Sequence, residues 1–296
     1  MLNNKTLTVF TFLVFYTSLV TAQNTINVKS PEIQYIGKSI AVYEHHSKRD
    51  LSINTIDTIN FNPQISTSEV LRLGESDSYF WLKFKIKNCT DASLQLSIDQ
   101  ALINFLKLYK KVENNKFIST ELGEHLPFDQ RNYKHPVYIF DLNLKKGDAA
   151  TFYLQIKSDE SNTLPIAISS KQELQSYLTN KDLFIGCFLG LILVMFLYNL
   201  MLYIKIKDTS YVYYILYLIT IGLTQLSVQG YTYKYLWPNY PNVAQNITIY
   251  LACFTAVFAL FFVQLVAILS QPRICQSPPY LRSDILVRCM MTSFYP

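Results

Sequence analysis

The chain has 296 residues, of which 50% are hydrophobic, 15% aromatic and only 16% charged, with a formal net charge of +5. An ordinary soluble domain carries roughly 25% charged residues, so the shortfall must be concentrated in uncharged stretches; disorder, collagen and a basic nucleic-acid arm are excluded. The distribution of charge favours one soluble domain plus several membrane spans.

At the N-terminus Lys5 precedes a charge-free run from Thr6 to Val20, and Val20-Thr21-Ala22 sets compact residues where signal peptidase cuts. This layout predicts a signal peptide over residues 1–22, too short in its apolar part for a membrane span. From Gln23 to Tyr177 the composition is polar and strand-like. Phe80, Leu82, Phe84 and Ile86 alternate with Trp81, Lys83, Lys85 and Lys87, and the same period of two returns at Leu94, Leu96 and Ile98 and at Phe152, Leu154 and Ile156. Turn signals lie between these runs at Asn62-Pro63, Asn114-Asn115, Lys146-Gly147-Asp148 and Ser161-Asn162. The expectation for residues 23–177 is an all-β jelly roll or sandwich outside the cytoplasm, without an internal disulfide because Cys89 is its only cysteine.

After Tyr177 the chain changes solvent. Residues 183–204, 211–233 and 244–269 are uncharged and long enough to cross roughly 30 Å of hydrocarbon, which predicts three spans, with Lys171 to Lys181 as a short connector into the first. Lys205 and Lys207, and Arg273 after the third span, mark the cytoplasmic ends; the loop from Lys234 to Val243 holds one Lys and no Arg. Trp237 and the tyrosines at 231, 233, 235 and 240 are expected at headgroup level. Gly186 and Gly190 form a small-x-x-x-small pair for helix packing, and Asn199, Gln225, Gln229, Asn246 and Gln264 should face other helices rather than lipid. The Pro-rich segment 270–296 contains no uncharged run long enough for a fourth span.

No P-loop, G-x-S-x-G, H-E-x-x-H or paired C-x-x-C is present, so no catalytic residue is assigned and the chain is read as no enzyme. No cofactor is expected, and no metal either, because His45 and His46 would point to opposite strand faces. Trp81, on the lysine-bearing side of its strand, can be a stacking platform for a sugar ring, or the plug of a second small core with the lysines snorkelling. Asp129, Arg131, Tyr133 and His135 form an alternating polar set; the first three join Trp81 as ligand-binding candidates.

Tyr79 to Asn88, Leu106-Lys107-Leu108-Tyr109, Gly123 with Leu126-Pro127 and Arg131, and Thr151 to Ile156 follow one another in an order that resembles the bacterial seven-transmembrane receptors with diverse intracellular signalling modules. Gly186, Gly190, Tyr198-Asn199-Leu200, Asp208 to Tyr211, Gly230 and Leu236-Trp237-Pro238 are similar to the opening of that family's seven-helix region. The resemblance implies a periplasmic, carbohydrate-binding-module-like sensor domain in the bacterial inner membrane, with three of an expected seven helices. The implied function is to bind a small ligand, a saccharide being one class, and relay it to a cytoplasmic output missing from this chain. Expected partners are that ligand, the lipid bilayer and a second copy as a homodimer, with no nucleic acid. Segment 270–296 reads as a truncation, by natural shortening, a frameshift near Ile274 or a gene fragment. The alternative function is a membrane-anchored surface-binding or adhesion module that does not signal.

Overall fold

The computed structural model describes residues 25–270, except 46–50, 60, 62–67, 75, 77, 113–115 and 159–162, and omits the side chains of 268–270. The expected signal peptide, the segment after 270, His46 and three of the four turn signals lie outside the described residues. The fourth turn is formed, with Gly147 at φ 90° after Lys145 and Lys146.

Twelve strands are seen among the described residues: β1 (Thr25–Val28), β2 (Gln34–Tyr35), β3 (Ala41–His45), β4 (Leu71–Arg72), β5 (Tyr79–Asn88), β6 (Leu94–Ile98), β7 (Phe105–Lys111), β8 (Phe117–Leu122), β9 (Tyr138–Asp141), β10 (Ala149–Lys157), β11 (Thr163–Leu164) and β12 (Ile166–Ser170). The three alternating runs read from the sequence are β5, β6 and β10. One sheet has the order β1-β5-β10-β7-β8 with β3 also on β5; a second has the order β2-β12-β6-β9; β4 and β11 make a two-stranded ribbon. Both β1 and β3 use the same edge of β5: β1 runs parallel along Lys85 to Asn88 and β3 antiparallel along Tyr79 to Lys83.

The period of two explains the core. Leu82, Phe84 and Ile86 of β5 and Phe152, Leu154 and Ile156 of β10 face Leu94, Leu96, Ile98, Tyr138, Phe140, Ile166 and Ile168 of the other sheet in one buried cluster. Phe84 and Phe152 are register partners, and their rings stack at 5.9 Å. At the end of β5, Asn88 acts as a clamp: it is buried, its amide donates to the carbonyls of Leu144 (2.9 Å) and Ala92 (3.1 Å), and its oxygen accepts from Thr90.

The outer face of the six-stranded sheet is also covered. Helix α1 (Ile53–Thr58) and its flanks lay Leu51, Ile53, Ile56, Ile59 and Phe61 over Trp81, Tyr153, Tyr43 and Tyr109. Asp57 fastens this cover by accepting from the Tyr153 hydroxyl and the Lys111 ammonium, both at 2.6 Å. Trp81 is 0% exposed, so of the two readings, sugar platform and plug of a second small core, it takes the place of the plug, and Lys83 lies over the Phe61 and Tyr153 rings at 5.4 and 5.3 Å. Sequence alternation could not decide between them, because the cover comes from a segment twenty or more residues upstream.

Four further helices follow: α2 (Lys171–Ile206), α3 (Thr209–Val228), α4 (Tyr231–Tyr235) and α5 (Pro241–Ser270). Three of them, α2, α3 and α5, are long and apolar enough to cross a membrane. The second expected span shortens at its end. Helix α3 stops at Val228, and Gly230 takes a left-handed φ of 78° before α4 begins. A side chain there would be strained, and its Cβ would also lie 2.8 Å from the Ala101 Cβ and 3.0 Å from the Pro136 Cβ.

The described residues form two compact units, one holding the strands with the start of α2, the end of α3, α4 and the start of α5, the other holding 191–222 with 251–270. In the second unit Tyr213 packs on Phe261 and Tyr214 on Phe262, while Gly222 lies against Ile192. Asn199 is buried and turns its amide back to the Met195 carbonyl at 2.7 Å, which satisfies one donor without leaving the helix.

Replacing Trp81 by Ala should empty the outer core and cost about 3–5 kcal/mol, whereas Trp81→Phe should cost less. Urea unfolding of a chain spanning 23–182, followed by circular dichroism, measures both.

Candidate functional site: where the β domain meets the helix ends

Strand β12 runs into α2 without a linker. The Ser170 hydroxyl accepts from the Glu173 backbone N–H at 3.2 Å and so caps the helix, which makes the expected connector 171–181 the first three turns of a single 36-residue helix. These turns present one face to the outer side of the four-stranded sheet. Leu174 and Leu178 bury against Val137 and Ile139, with Tyr133 and Tyr177 beside them. The Tyr177 hydroxyl donates to Asp99 at 2.6 Å, and Lys181 pairs with the other oxygen of Asp99.

The second attachment is built on the loop between β8 and β9. Sequence alternation leaves Asp129, Arg131, Tyr133 and His135 as the lining of a pocket or as a solvated strand face; the segment is no strand but a 3-10 turn at Phe128–Gln130 followed by irregular chain. The loop folds back because Arg131 Nη1 donates to the carbonyls of Pro136 (3.1 Å) and His135 (3.4 Å). Arg131 is only 6% exposed, and its guanidinium carbon lies 4.3 Å from the Tyr138 ring, 4.7 Å from Phe128 and 5.8 Å from Tyr233. A desolvated cation over a ring face is stabilised by about 2 kcal/mol or more per favourable contact. Tyr233 comes from α4, and the Tyr233 hydroxyl donates to the Leu126 carbonyl. Phe128 donates its N–H to the Pro238 carbonyl at 2.8 Å and meets the Tyr233 ring edge to face at 5.5 Å. Ala244 and Trp237 close the cluster. Burial raises the Tyr138 phenol above its ordinary pKa; its hydroxyl donates to the Ala101 carbonyl at 2.9 Å.

A third contact joins the loop to α2 and α4 together. His135 Nε2 lies 3.2 Å from the Asp182 Oδ1, the same oxygen that accepts the Tyr231 hydroxyl, and the Tyr231 ring stands edge-on to the imidazole at 6.1 Å. The Val137 backbone N–H donates to His135 Nδ1 at 3.1 Å. Burial holds the imidazole below the ordinary histidine pKa, against the opposing pull of Asp182. Nearby, the Ser227 and Thr248 hydroxyls bond each other at 2.6 Å, tying the end of α3 to α5.

The sequence-derived residues therefore separate. Arg131 is the buried centre of the junction, while Asp129 is exposed and near Lys134. Tyr133 is half-buried, donates to Asp141 at 2.7 Å and accepts from Gln95 at 2.6 Å; burial and the Asp141 charge push its pKa up to about 12. Trp81 belongs to the outer core on a different sheet. A Cβ at Gly186 or Gly190 would meet nothing within 4 Å among the described residues, whereas one at Gly222 would meet Ile192 at 3.3 Å. The expected aromatic belt divides: Tyr231 and Tyr233 are buried in the junction, and Tyr235 and Tyr240 are exposed. Sequence reasoning missed Phe128, Tyr138, Asp182 and the two buried tyrosines as partners of Arg131 and His135. The visible signal was Gly230 directly before Tyr231-Thr232-Tyr233, a break that ends a membrane helix and turns two aromatics toward protein.

Replacing Arg131 by Leu removes the charge-assisted bonds to two carbonyls and should cost about 1.5–3 kcal/mol, with Arg131→Lys recovering little because an ammonium cannot fill a planar slot between rings. The full chain in nanodiscs should show a lowered melting temperature and faster amide exchange at 126–138 and 230–238.

Two family matches cover the two regions. Residues 37–170 match the 7TMR-DISM extracellular 2 family, and residues 181–294 match the family described as 7TM diverse intracellular signalling, the second running past the third long helix. No curated protein matches the chain. An extracellular-type domain followed by apolar helices is the order in which sensory receptors of this type are built, and the chain belongs to the 7TMR-DISM family of membrane receptors.

Proposed function

We propose that the chain is the sensing and coupling part of a receptor of the bacterial inner membrane, with its β domain in the periplasm, and that the junction passes a change in that domain to the helices and a cytoplasmic output. The observation that supports this reading is the double attachment: the β domain continues into α2 without a linker, and its β8–β9 loop grips α4 through Arg131. That loop turns Asp129 outward while Arg131 and His135 point inward. A small ligand held at Asp129 and Tyr133, a saccharide being the class favoured by their hydrogen-bonding groups, would strain the loop and alter the Arg131 cage. Trp81 stands apart as the centre of the outer core. For a signal, the ligand must bind two arrangements of the junction with different affinity.

The competing reading is an adhesion module, which needs binding but no coupling. A panel of monosaccharides and oligosaccharides added to the full chain in nanodiscs separates them by amide exchange. A ligand that changes exchange at 171–182 and 229–240 supports the receptor; binding that leaves both segments unchanged supports adhesion.

Orientation has its own expected outcome. A reporter active only in the periplasm should work when fused at Asn239 and fail at Asp208, and activity at Asp208 would reverse the assignment.

A further inference from the structure

His135 is a buried side chain whose hydrogen bonds can all be made in one protonation state only. The Val137 N–H can only donate, so Nδ1 must accept, and the single ring proton then sits on Nε2, where it is donated to Asp182. A second proton would go to Nδ1 and set two N–H groups against each other across 3.1 Å. We infer that the junction is a proton sensor: acidification outside the membrane protonates His135 and releases the β8–β9 loop from Asp182 of α2 and Tyr231 of α4. That release follows from the geometry of the junction alone; its use as a signal rests on the receptor reading above.

The charges around the ring set the sign. From α2, Asp182 attracts the imidazolium and Lys181 repels it; from α4, Lys234 repels it and Tyr231 brings a neutral hydroxyl. From its own loop, the Arg131 guanidinium bonds the His135 carbonyl. Asp99 beyond is already engaged by Tyr177 and Lys181. Asp182 already accepts the Tyr231 hydroxyl, so its pull on a second His135 proton is shared. Burial outweighs that pull, and the docked imidazole sits below its ordinary pKa. A released, solvated His135 binds the proton more readily than a docked one. Docking is therefore full above the ordinary histidine pKa of about 6.5 and is lost as pH falls below it toward the lower docked value.

The test is amide exchange of the full chain in nanodiscs between about pH 7.5 and about pH 5, corrected for the intrinsic rate at each pH. In the wild type, exchange at 124–137 and 229–240 should rise several-fold below about pH 6. His135→Gln keeps a donor for Asp182 and cannot titrate, so its exchange should be flat across the range. A flat wild type, or an unchanged slope in His135→Gln, overturns the proposal. If the variant fails to dock, histidine carbon-13 NMR of the wild type decides: of the four histidines, His135 is recognised by its loss in the variant, and it should titrate below the ordinary value. Titration at or above that value overturns the proposal. A spin label at Lys207→Cys tests the relay separately: pH-dependent exchange with a silent label keeps the proton sensor and discards coupling to the helices.

Discussion

The burial of one positive charge organises this molecule. Removing the Arg131 guanidinium from water costs several kcal/mol, and that cost is offset only where ring faces and carbonyl oxygens replace the lost water. The replacements come from three places: the carbonyls of His135 and Pro136 with the Phe128 ring in the same loop, Tyr138 at the start of β9, and Tyr233 in the short helix α4. None of these groups suffices alone. The loop, the sheet and the segment after α3 must therefore order together.

The surrounding contacts make sense in that light. Gly230 allows α4 to approach Ala101 and Pro136 closely enough to deliver Tyr233, and a residue with a side chain would hold α4 away. The Tyr233 hydroxyl, the Phe128 N–H and the Pro238 carbonyl then close the backbone bonds that such an approach would otherwise leave unmet. Asp182 of α2 serves two donors from different elements, His135 of the loop and Tyr231 of α4, and Asp99 of the β domain takes two donors from α2, so α2 is bound to the β domain by polar bonds as well as by Leu174 and Leu178. A helix that continues directly from β12 and is pinned over three turns is held to the β domain more firmly than one hung on a flexible linker.

Both sheets of the β domain are covered on their outer faces as well. Helix α1 and its flanks lie over Trp81, and the start of α2 lies over Val137 and Ile139. These parts of the sheet faces are spent on packing, while Asp129 stays exposed at the edge of the β8–β9 loop.

Alternation in β5, β6 and β10, and the uncharged runs that became α2, α3 and α5, were legible in the sequence because both signals are local. Strand periodicity and hydrocarbon-length apolar runs are imposed by the solvent on each side of the backbone, whatever the rest of the chain does. The order of motifs also carried the family. Tertiary structure alone decided that Trp81 is covered, that residues 129–135 form a folded-back loop and not a strand, and that Tyr231 and Tyr233 bind protein. The loop is folded back by local bonds from Arg131 to the His135 and Pro136 carbonyls, but what covers each of these residues is distant in sequence: Phe61 for Trp81, Tyr233 for Arg131, Asp182 for His135. Alternation tells which residues share a face but not what covers it, because burial is a property of the assembled chain.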